Sequence, residues 1–267
     1  MTLIFLKLGG SLITDKNQAH TPRLEVVKRL AEEVAAARQA NPALRLLLGH
    51  GSGSFGHIAA HRYGTRQGVR TPEQWRGFAE VWREAAALNH LVVEALHGAG
   101  LPAMALPASA ALTARDGSVV RWDVTPIASA LDAGLLPVIY GDVIFDQVRG
   151  GTIFSTEDLF AHLALELKPA RLLLAGFEPG VWADYPSCQR LLSSITPLTY
   201  TDILPALSGS AATDVTGGMA SKVVQAVALA QQIPGLEVLI FSGLSPGAVQ
   251  QVLTGQNLGT RIFNPSS

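Results

Sequence analysis

Three lysines and a histidine carry the chemistry this sequence can do. Lys7 lies inside an apolar run, Leu3 to Leu8, directly before Gly9 and Gly10; Lys16 closes the loop GGSLITDK; Lys222 stands four residues after Gly218 in DVTGGMASK. An ammonium among apolar neighbours is costly unless it is paired. Lys7 therefore reads either as a lysine snorkelling from an edge strand or as a cation aimed into an anion site. Lys16 taken alone is an ordinary surface lysine. Lys222 falls one turn into a helix that opens with glycines, which brings an ammonium beside phosphates already held by backbone NH groups. Cations at three loop ends suit phosphoryl transfer, where positioning and electrostatic stabilisation do nearly all the work. Asp142 and Asp158 are candidates for holding these lysines in place, and each reads equally as a turn or helix-cap residue.

The histidine, His57, ends the stretch GHGSGSFGH, which begins at Gly49 and follows the apolar run Leu44 to Leu48. Strand, glycine-rich turn and helix start are thus expected in that order. Gly51, Gly53 and Gly56 spell GxGxxG, the dinucleotide fingerprint when it opens a βαβ unit. The same geometry suits any phosphate, because backbone amides at a helix start have no side chains in the way. A dinucleotide site needs an acidic residue at the end of the next strand, and the region about 20 residues on is instead helical, near Glu73. His57 alone reads as a helix-start or core histidine. His50, His57 and His61 belong to no HExxH pattern.

The elements that must position these residues alternate. Strands are expected at Leu3 to Leu8, Leu44 to Leu48, Pro102 to Pro107, Leu135 to Tyr140, Arg171 to Ala175 and Val238 to Phe241. Helices are expected from Arg23 to Gln39, about Glu73 to His97, Thr156 to Leu167, about Lys222 to Gln232, and near Pro246 to Leu253. Hairpins are expected to turn at Asp116–Gly117 and through 146–151. Alternation from end to end means an α/β fold with a mostly parallel central sheet. Ligands then bind at strand carboxyl ends, in KLGGS, GHGSGSFGH, GDV, GFEPGVW and GGMASK. A soft boundary near Leu167 divides a first lobe, 1–167, from a second, 168–267.

Composition removes several classes. The chain has 267 residues, 48% of them hydrophobic, with a formal net charge of −1 and a pI near 6.7. It can bury a full core and carries no global basic field for nucleic acid. One cysteine, Cys188, excludes a disulfide framework and thiolate zinc clusters, and fits a reducing compartment. No signal peptide is expected at the amino terminus, and no run approaches the roughly 18 apolar residues of a membrane span. A cytoplasmic protein, not attached to membrane, is expected. There is no GxxxxGK[ST], no HRD or DFG, and no GxSxG at the right spacing, so Walker NTPases, protein kinases and serine hydrolases are not indicated.

KLGGS, HGSGSFGH, YGDV and DVTGGMASK occur in the order and spacing of the amino acid kinase superfamily. Within it the chain most closely resembles the isopentenyl phosphate kinases, over essentially its whole length, with LGGSLITDK and SFGH the most discriminating pieces. The resemblance implies an open αβα sandwich, usually a homodimer, whose first lobe binds isopentenyl phosphate and whose second binds ATP with Mg2+. Lys7, Gly9, Gly10 and Ser11 match the family's ATP phosphate loop, Gly53 its glycine turn, and Gly218 and Lys222 the nucleotide side. Lys16 matches the residue that stabilises the transition state, His57 the histidine that holds the acceptor phosphate, and Asp158 the aspartate that orients the lysines. Ser52 stands where the family usually has a third glycine, Thr156 where it has a glycine, and Phe177 where relatives carry an aspartate near the nucleotide. Phe78 and Trp82, at i and i+4 of the long helix, are expected either to wall an isopentenyl slot or to be plain core. The resemblance implies the product isopentenyl diphosphate, on an alternative mevalonate route. A kinase for a fosfomycin-type phosphonate, or a nucleotide sensor without catalysis, would keep the same fold.

Overall fold

The computed structural model describes residues 2–208 and 218–265. Residues 214–217 of the DVTGG motif lie outside that range. In chain order the first half runs β1 (Leu3–Leu8), α1 (Gly10–Ile13), α2 (Leu24–Ala40), β2 (Arg45–His50), α3 (His57–Tyr63), α4 (Pro72–Gly98) and β3 (Ala103–Ala105). A hairpin region follows: β4 (Leu112–Arg115), β5 (Ser118–Trp122), α5 (Thr125–Asp132), β6 (Leu136–Tyr140), β7 (Asp142–Asp146) and β8 (Gly150–Phe154). The remainder is α6 (Thr156–Leu167), β9 (Arg171–Gly176), β10 (Ser194–Ile195), α7 (Tyr200–Ser208), α8 (Gly218–Gln232), β11 (Glu237–Ser242), α9 (Ala248–Leu253) and β12 (Gly259–Phe263).

The main sheet has eight strands in the order β10-β12-β11-β9-β1-β2-β6-β3, parallel except where β12 runs against β11. Its central strand reads LIFLKL and is buried throughout, as expected for a parallel strand covered on both faces. Alternation along it separates the core into two layers. Phe5 packs with Leu47, Phe160 and Val223 under α6 and α8. Ile4 and Leu6 pack with Leu30, Leu48 and Leu88 under α2 and α4. This is a three-layer αβα arrangement. The expected boundary near Leu167 falls at the end of α6 and leaves four strands of the sheet on each side, so the two lobes share one sheet.

A smaller sheet, β5-β4-β7-β8, is built from the two expected hairpins. Its corner is held by Asp146, which accepts from the amides of Asp116, Gly117, Val148 and Arg149 at 2.8–3.0 Å. Burial alone would raise this carboxyl, but the four amides outweigh it and hold the group at about 2. Helix α4 starts on a capping box between Thr71 and Gln74 with proline at its first position, which is why so long a helix begins where the sequence places it. Helices α1 (inside the stretch read as the loop GGSLITDK), α5 and α7 and strands β10 and β12 were not expected; β12 is a short alternating run after the last helix, and it pairs antiparallel on a sheet read as mostly parallel.

Candidate active site

Lys7 is the next-to-last residue of β1, facing Gly49 of β2 and Leu174 of β9 in register, so it stands on a central strand and not an edge. The chain leaves β1 toward β2 on one side and meets β9 on the other, the strand-order reversal at which α/β sheets form ligand crevices. A cleft of about 280 Å³ opens there, lined by Lys7, Gly9, Gly10, Ser11, Lys16, Ser52, Gly53, His57, Thr156, Phe177 and Lys222 among others. The structure therefore brings most of the expected site residues to one cavity, from both lobes. Gly218 is not among its walls; it opens α8 with φ 63°, and Met219 and Lys222 of the same helix line the cleft.

The floor is two glycine loops pressed main chain to main chain. A Cβ on Gly10 would lie 2.6 Å from the Cα of Gly53, and one on Gly51 would lie 2.9 Å from the nitrogen of Gly10. Thr14 clamps them: its hydroxyl donates to the Gly10 carbonyl at 2.8 Å and accepts from the Ser54 amide at 2.8 Å. The Gly9 amide is used by Ala175. Among the described residues no carbonyl accepts from the amides of Gly10, Ser11, Ser52 or Gly53, which leaves them to an anion in the cleft. Ser52 stands outside the left-handed region, so a side chain is accommodated where a glycine was the family pattern.

Lys7 is buried and forms an ion pair with Glu157, the second residue of α6. Burial opposes ionisation of Glu157, but the charges of Lys7 and then Lys222, with the hydrogen bond from Lys7, hold its carboxyl below the ordinary range. Asp158, expected to orient the lysines, is placed otherwise. Its Oδ2 accepts from the amide and hydroxyl of Ser155 at 2.9 and 2.7 Å, closing a capping box, and Arg66 lies 3.5 Å away. The carboxylate that meets Lys7 is its neighbour. Asp142 also holds no lysine: it is buried, accepts from the amides of Ser109 and Val143, and ties the turn at Ala108–Ala110 to β7.

His57 is the first residue of α3, half-buried, with Nδ1 3.4 Å from the hydroxyl of Ser52. The turn that delivers it is anchored by Glu84 of α4, whose carboxylate accepts from the Gly56 amide at 2.6 Å and meets His20 at 3.0 Å. Thr156 is buried and donates to the His50 carbonyl at 2.6 Å. His50 is fully enclosed, 3.1 Å from Asn89 and stacked on Tyr140; desolvation, above all, lowers its pKa and keeps it neutral.

The cleft also has apolar lining: Ala60 of α3, Val81 and Ala85 of α4, and Ile153 and Phe154 of β8. Phe78 and Trp82 are not among them. Phe78 is core, stacked edge-on with Trp75 and packed with Val69 and Val143; Trp82 points outward, 46% exposed. Val81 and Ala85 have the same i, i+4 spacing, on the neighbouring face of the same helix. Phe177, which also lines the cleft, is half exposed, with the Arg23 guanidinium 5.1 Å from its ring centroid.

The family model described as "Amino acid kinase family" matches residues 2–242. The chain belongs to the amino acid kinase family. Relatives within that family include an isopentenyl phosphate kinase of Methanothermobacter thermautotrophicus, 35% identical, with 97% of this chain and 98% of the relative covered. Another, from Methanocaldococcus jannaschii, is 30% identical over 97% of this chain and 98% of its own. A solved isopentenyl phosphate kinase superposes with a TM-score of 0.81 at 31% identity, covering 97% of this chain and 99% of that one. A substrate complex of such a kinase gives 0.77 at 27% identity, over 97% and 99%. Glutamate 5-kinase of Moorella thermoacetica is 28% identical over 98% of this chain but only 66% of its own length.

For this amino acid kinase, sequence reasoning missed Glu157, Arg66, Val81 and Ala85. A signal for Glu157 was present: Ser155 and Asp158 stand in capping-box register, which commits Asp158 to its own helix and leaves Glu157 for the lysine.

Proposed function

We propose that this chain transfers the γ-phosphoryl group of ATP to the phosphate of isopentenyl phosphate, giving isopentenyl diphosphate and ADP. The observation that carries the reading is a single cleft lined by Lys7, Lys16 and Lys222, by His57, Ser52 and Gly53, and by the apolar side chains of Val81, Ala85 and Ile153. The relatives and solved neighbours named above support the same acceptor.

A phosphate monoester has its second pKa near 6, so it is largely a dianion at neutral pH and is itself the nucleophile. No general base is required of the protein. Its work is to bring two anions together and stabilise charge on the transferring group. His57 and the Ser52 and Gly53 amides hold the acceptor. Gly10 and Ser11 present amides to the nucleotide phosphates. Lys7, fixed by Glu157, and Lys16 and Lys222 offset charge at the transferred phosphoryl. Asp158 acts in this reading through its capping box and Arg66. Val81, Ala85 and Ile153 cover the isopentenyl tail, while Phe177, with Arg23 behind it, borders the nucleotide.

Among the described residues no three His, Cys, Asp or Glu side chains are grouped to hold a metal ion. Glu157 is already paired. Mg2+ is assigned in this reading to the nucleotide, whose phosphates and water hold it, and none of the roles above passes through a protein-held metal.

The first lobe, 1–167, is assigned to acceptor binding and homodimerisation and the second, 168–267, to ATP. A cytoplasmic place on a mevalonate-type route follows from the same reading; no helix among the described residues is long and apolar enough to cross a membrane. The test is ADP release with Mg·ATP against isopentenyl phosphate, a fosfomycin-type phosphonate and other small phosphates. Acceleration by isopentenyl phosphate well above the others is expected. Preference for the phosphonate makes the chain a different small-acceptor kinase, and ATP binding without ADP release makes it a sensor.

A further inference from the structure

We infer that Glu84 is a positioning residue for two groups of the site at once: it fixes the turn that presents His57 and, through His20, the loop that presents Lys16. The inference rests on the roles given above to His57 and Lys16, and it adds two residues that neither the sequence nor the relatives' names assign.

Between Val81 and Ala85, which line the cleft, α4 carries Glu84, a carboxylate only 6% exposed. A buried carboxylate is costly unless its oxygens are hydrogen-bonded. Both are used. Oε2 accepts from the Gly56 amide at 2.6 Å, and Gly56 is the cap from which His57 opens α3. Oε1 meets Nε2 of His20 at 3.0 Å, a contact across which an imidazole in either charge state can donate.

His20 belongs to the segment between α1 and α2 that carries Lys16. The loop is closed at its base: Thr14 and Pro22 form a bridge, and the Asp15 amide donates to the Thr21 carbonyl at 2.9 Å. Lys16, just beyond that base, lines the cleft. The far side of the loop rests on the turn before α3. There the Thr21 amide donates to the Ser54 hydroxyl at 3.1 Å, the His20 amide donates to the Ser54 carbonyl at 3.3 Å, and the His20 ring stands edge-on to Phe55 with centroids 5.4 Å apart. His20 has φ 52°, a left-handed conformation uncommon outside glycine. That backbone carries the ring to Phe55 and Glu84, although half of the side chain stays exposed.

One carboxylate therefore joins two loops that serve different parts of the reaction. The Gly56 arm sets where the acceptor phosphate is held, and the His20 arm sets where the Lys16 ammonium meets the transferred phosphoryl. Misplacing a reacting or stabilising group by about 1 Å costs up to about 100-fold in rate. Such a link acts on the reaction without touching substrate, and its two arms leave different kinetic marks.

The test is steady-state ADP release by wild type, His20→Ala, His20→Gln, Glu84→Gln, Lys16→Ala and the Lys16→Ala/His20→Ala double variant, with a thermal melt of each. His20→Ala is expected to lower kcat about tenfold while KM for isopentenyl phosphate and for ATP stay within about twofold, because Lys16 acts on charge that develops in the transition state. His20→Gln, whose amide can donate to the same carboxylate, recovers part of that rate. Glu84→Gln lowers kcat and also raises acceptor KM about five- to tenfold, with KM for ATP again within about twofold. In the Lys16→Ala background His20→Ala subtracts nothing further, the coupling of residues that act in series. An unchanged kcat in His20→Ala, whatever its melting temperature, overturns the His20 arm, as does an equal fold-loss in the Lys16→Ala background. An unchanged acceptor KM in Glu84→Gln overturns the His57 arm. Where Glu84→Gln does not fold, Glu84→Asp, which keeps the charge and draws the turn back by one methylene, reads the same split. If wild type turns over another small phosphate in place of isopentenyl phosphate, the acceptor reading fails and the same comparisons are read with that phosphate; if it turns over none, both fall.

Discussion

At the lysine end of the cleft, Lys7 leaves a strand buried along its whole length, its ammonium is locked to Glu157, and the loops beside it touch through backbone alone. At the histidine end, His57 and Arg66 belong to a seven-residue helix and the loop after it, both part-exposed, and α4 and β8 add apolar side chains from alanine to phenylalanine in size. One end is set by the sheet and admits almost no change; the other is set by helices whose surfaces can be rewritten. In the reaction proposed above, fixed charge serves a step common to every acceptor, and the adjustable wall serves the choice among acceptors.

The largest way to break this contrast is at Lys7. Lys7→Ala removes charge at the phosphoryl group and strands a buried Glu157; kcat should fall about 100- to 1000-fold, read by ADP release. Glu157→Gln should lower stability in urea by about 3 kcal/mol, because a buried ammonium loses its partner. The sign with pH follows. Glu157 is held below its ordinary 4.5, so its contribution is complete above that value and is lost as pH falls through the lower folded value. Wild type should therefore lose stability in acid along a curve that Glu157→Gln lacks.

Smaller in effect, and sharper on the division of roles, is His57→Ala. Acceptor KM should rise and turnover fall, together about 10- to 100-fold in kcat/KM, with ATP binding within about twofold by titration. Equal damage to ATP binding would merge the two ends. Smallest is Ala85→Phe, which narrows the apolar wall. It should cost isopentenyl phosphate about 1–3 kcal/mol in kcat/KM and leave a methyl or ethyl phosphate nearly untouched; a uniform loss would place the tail elsewhere.

The sheet end was the more legible in sequence, for a physical reason. A lysine in an apolar run and glycines where strands end are costly departures from ordinary composition, and cost leaves a mark that reads without coordinates. Long helices were legible from spacing and caps, α4 nearly to the residue. The helical end was harder. Spacing identifies a face of α4 but not which neighbour it meets; about 60° of rotation separates Phe78 and Trp82 from Val81 and Ala85, and the large aromatics drew attention from small residues that carry no signal. Asp158 was favoured over Glu157 because it matches the family's lysine-orienting aspartate, whereas the position of Ser155 commits it to its own helix cap. Arg66 had no mark of its own: it is one of three arginines, with Arg62 and Arg70, in a polar stretch of a kind most surfaces show.

The contact between the Gly10 and Gly51–Gly53 backbones has a consequence for how such a protein can change. In the reaction proposed above, the amides of Gly10 and Ser11 serve the nucleotide and those of Ser52 and Gly53 the acceptor, so the spacing between the two sets of donors is fixed by main chain and not by any side chain's reach. Substitutions on α3 and α4 can then explore new tails without resetting that spacing. Substrate range and chemical step become separately heritable, and a lineage can trade one acceptor for another through α4 while the transfer geometry passes on unaltered.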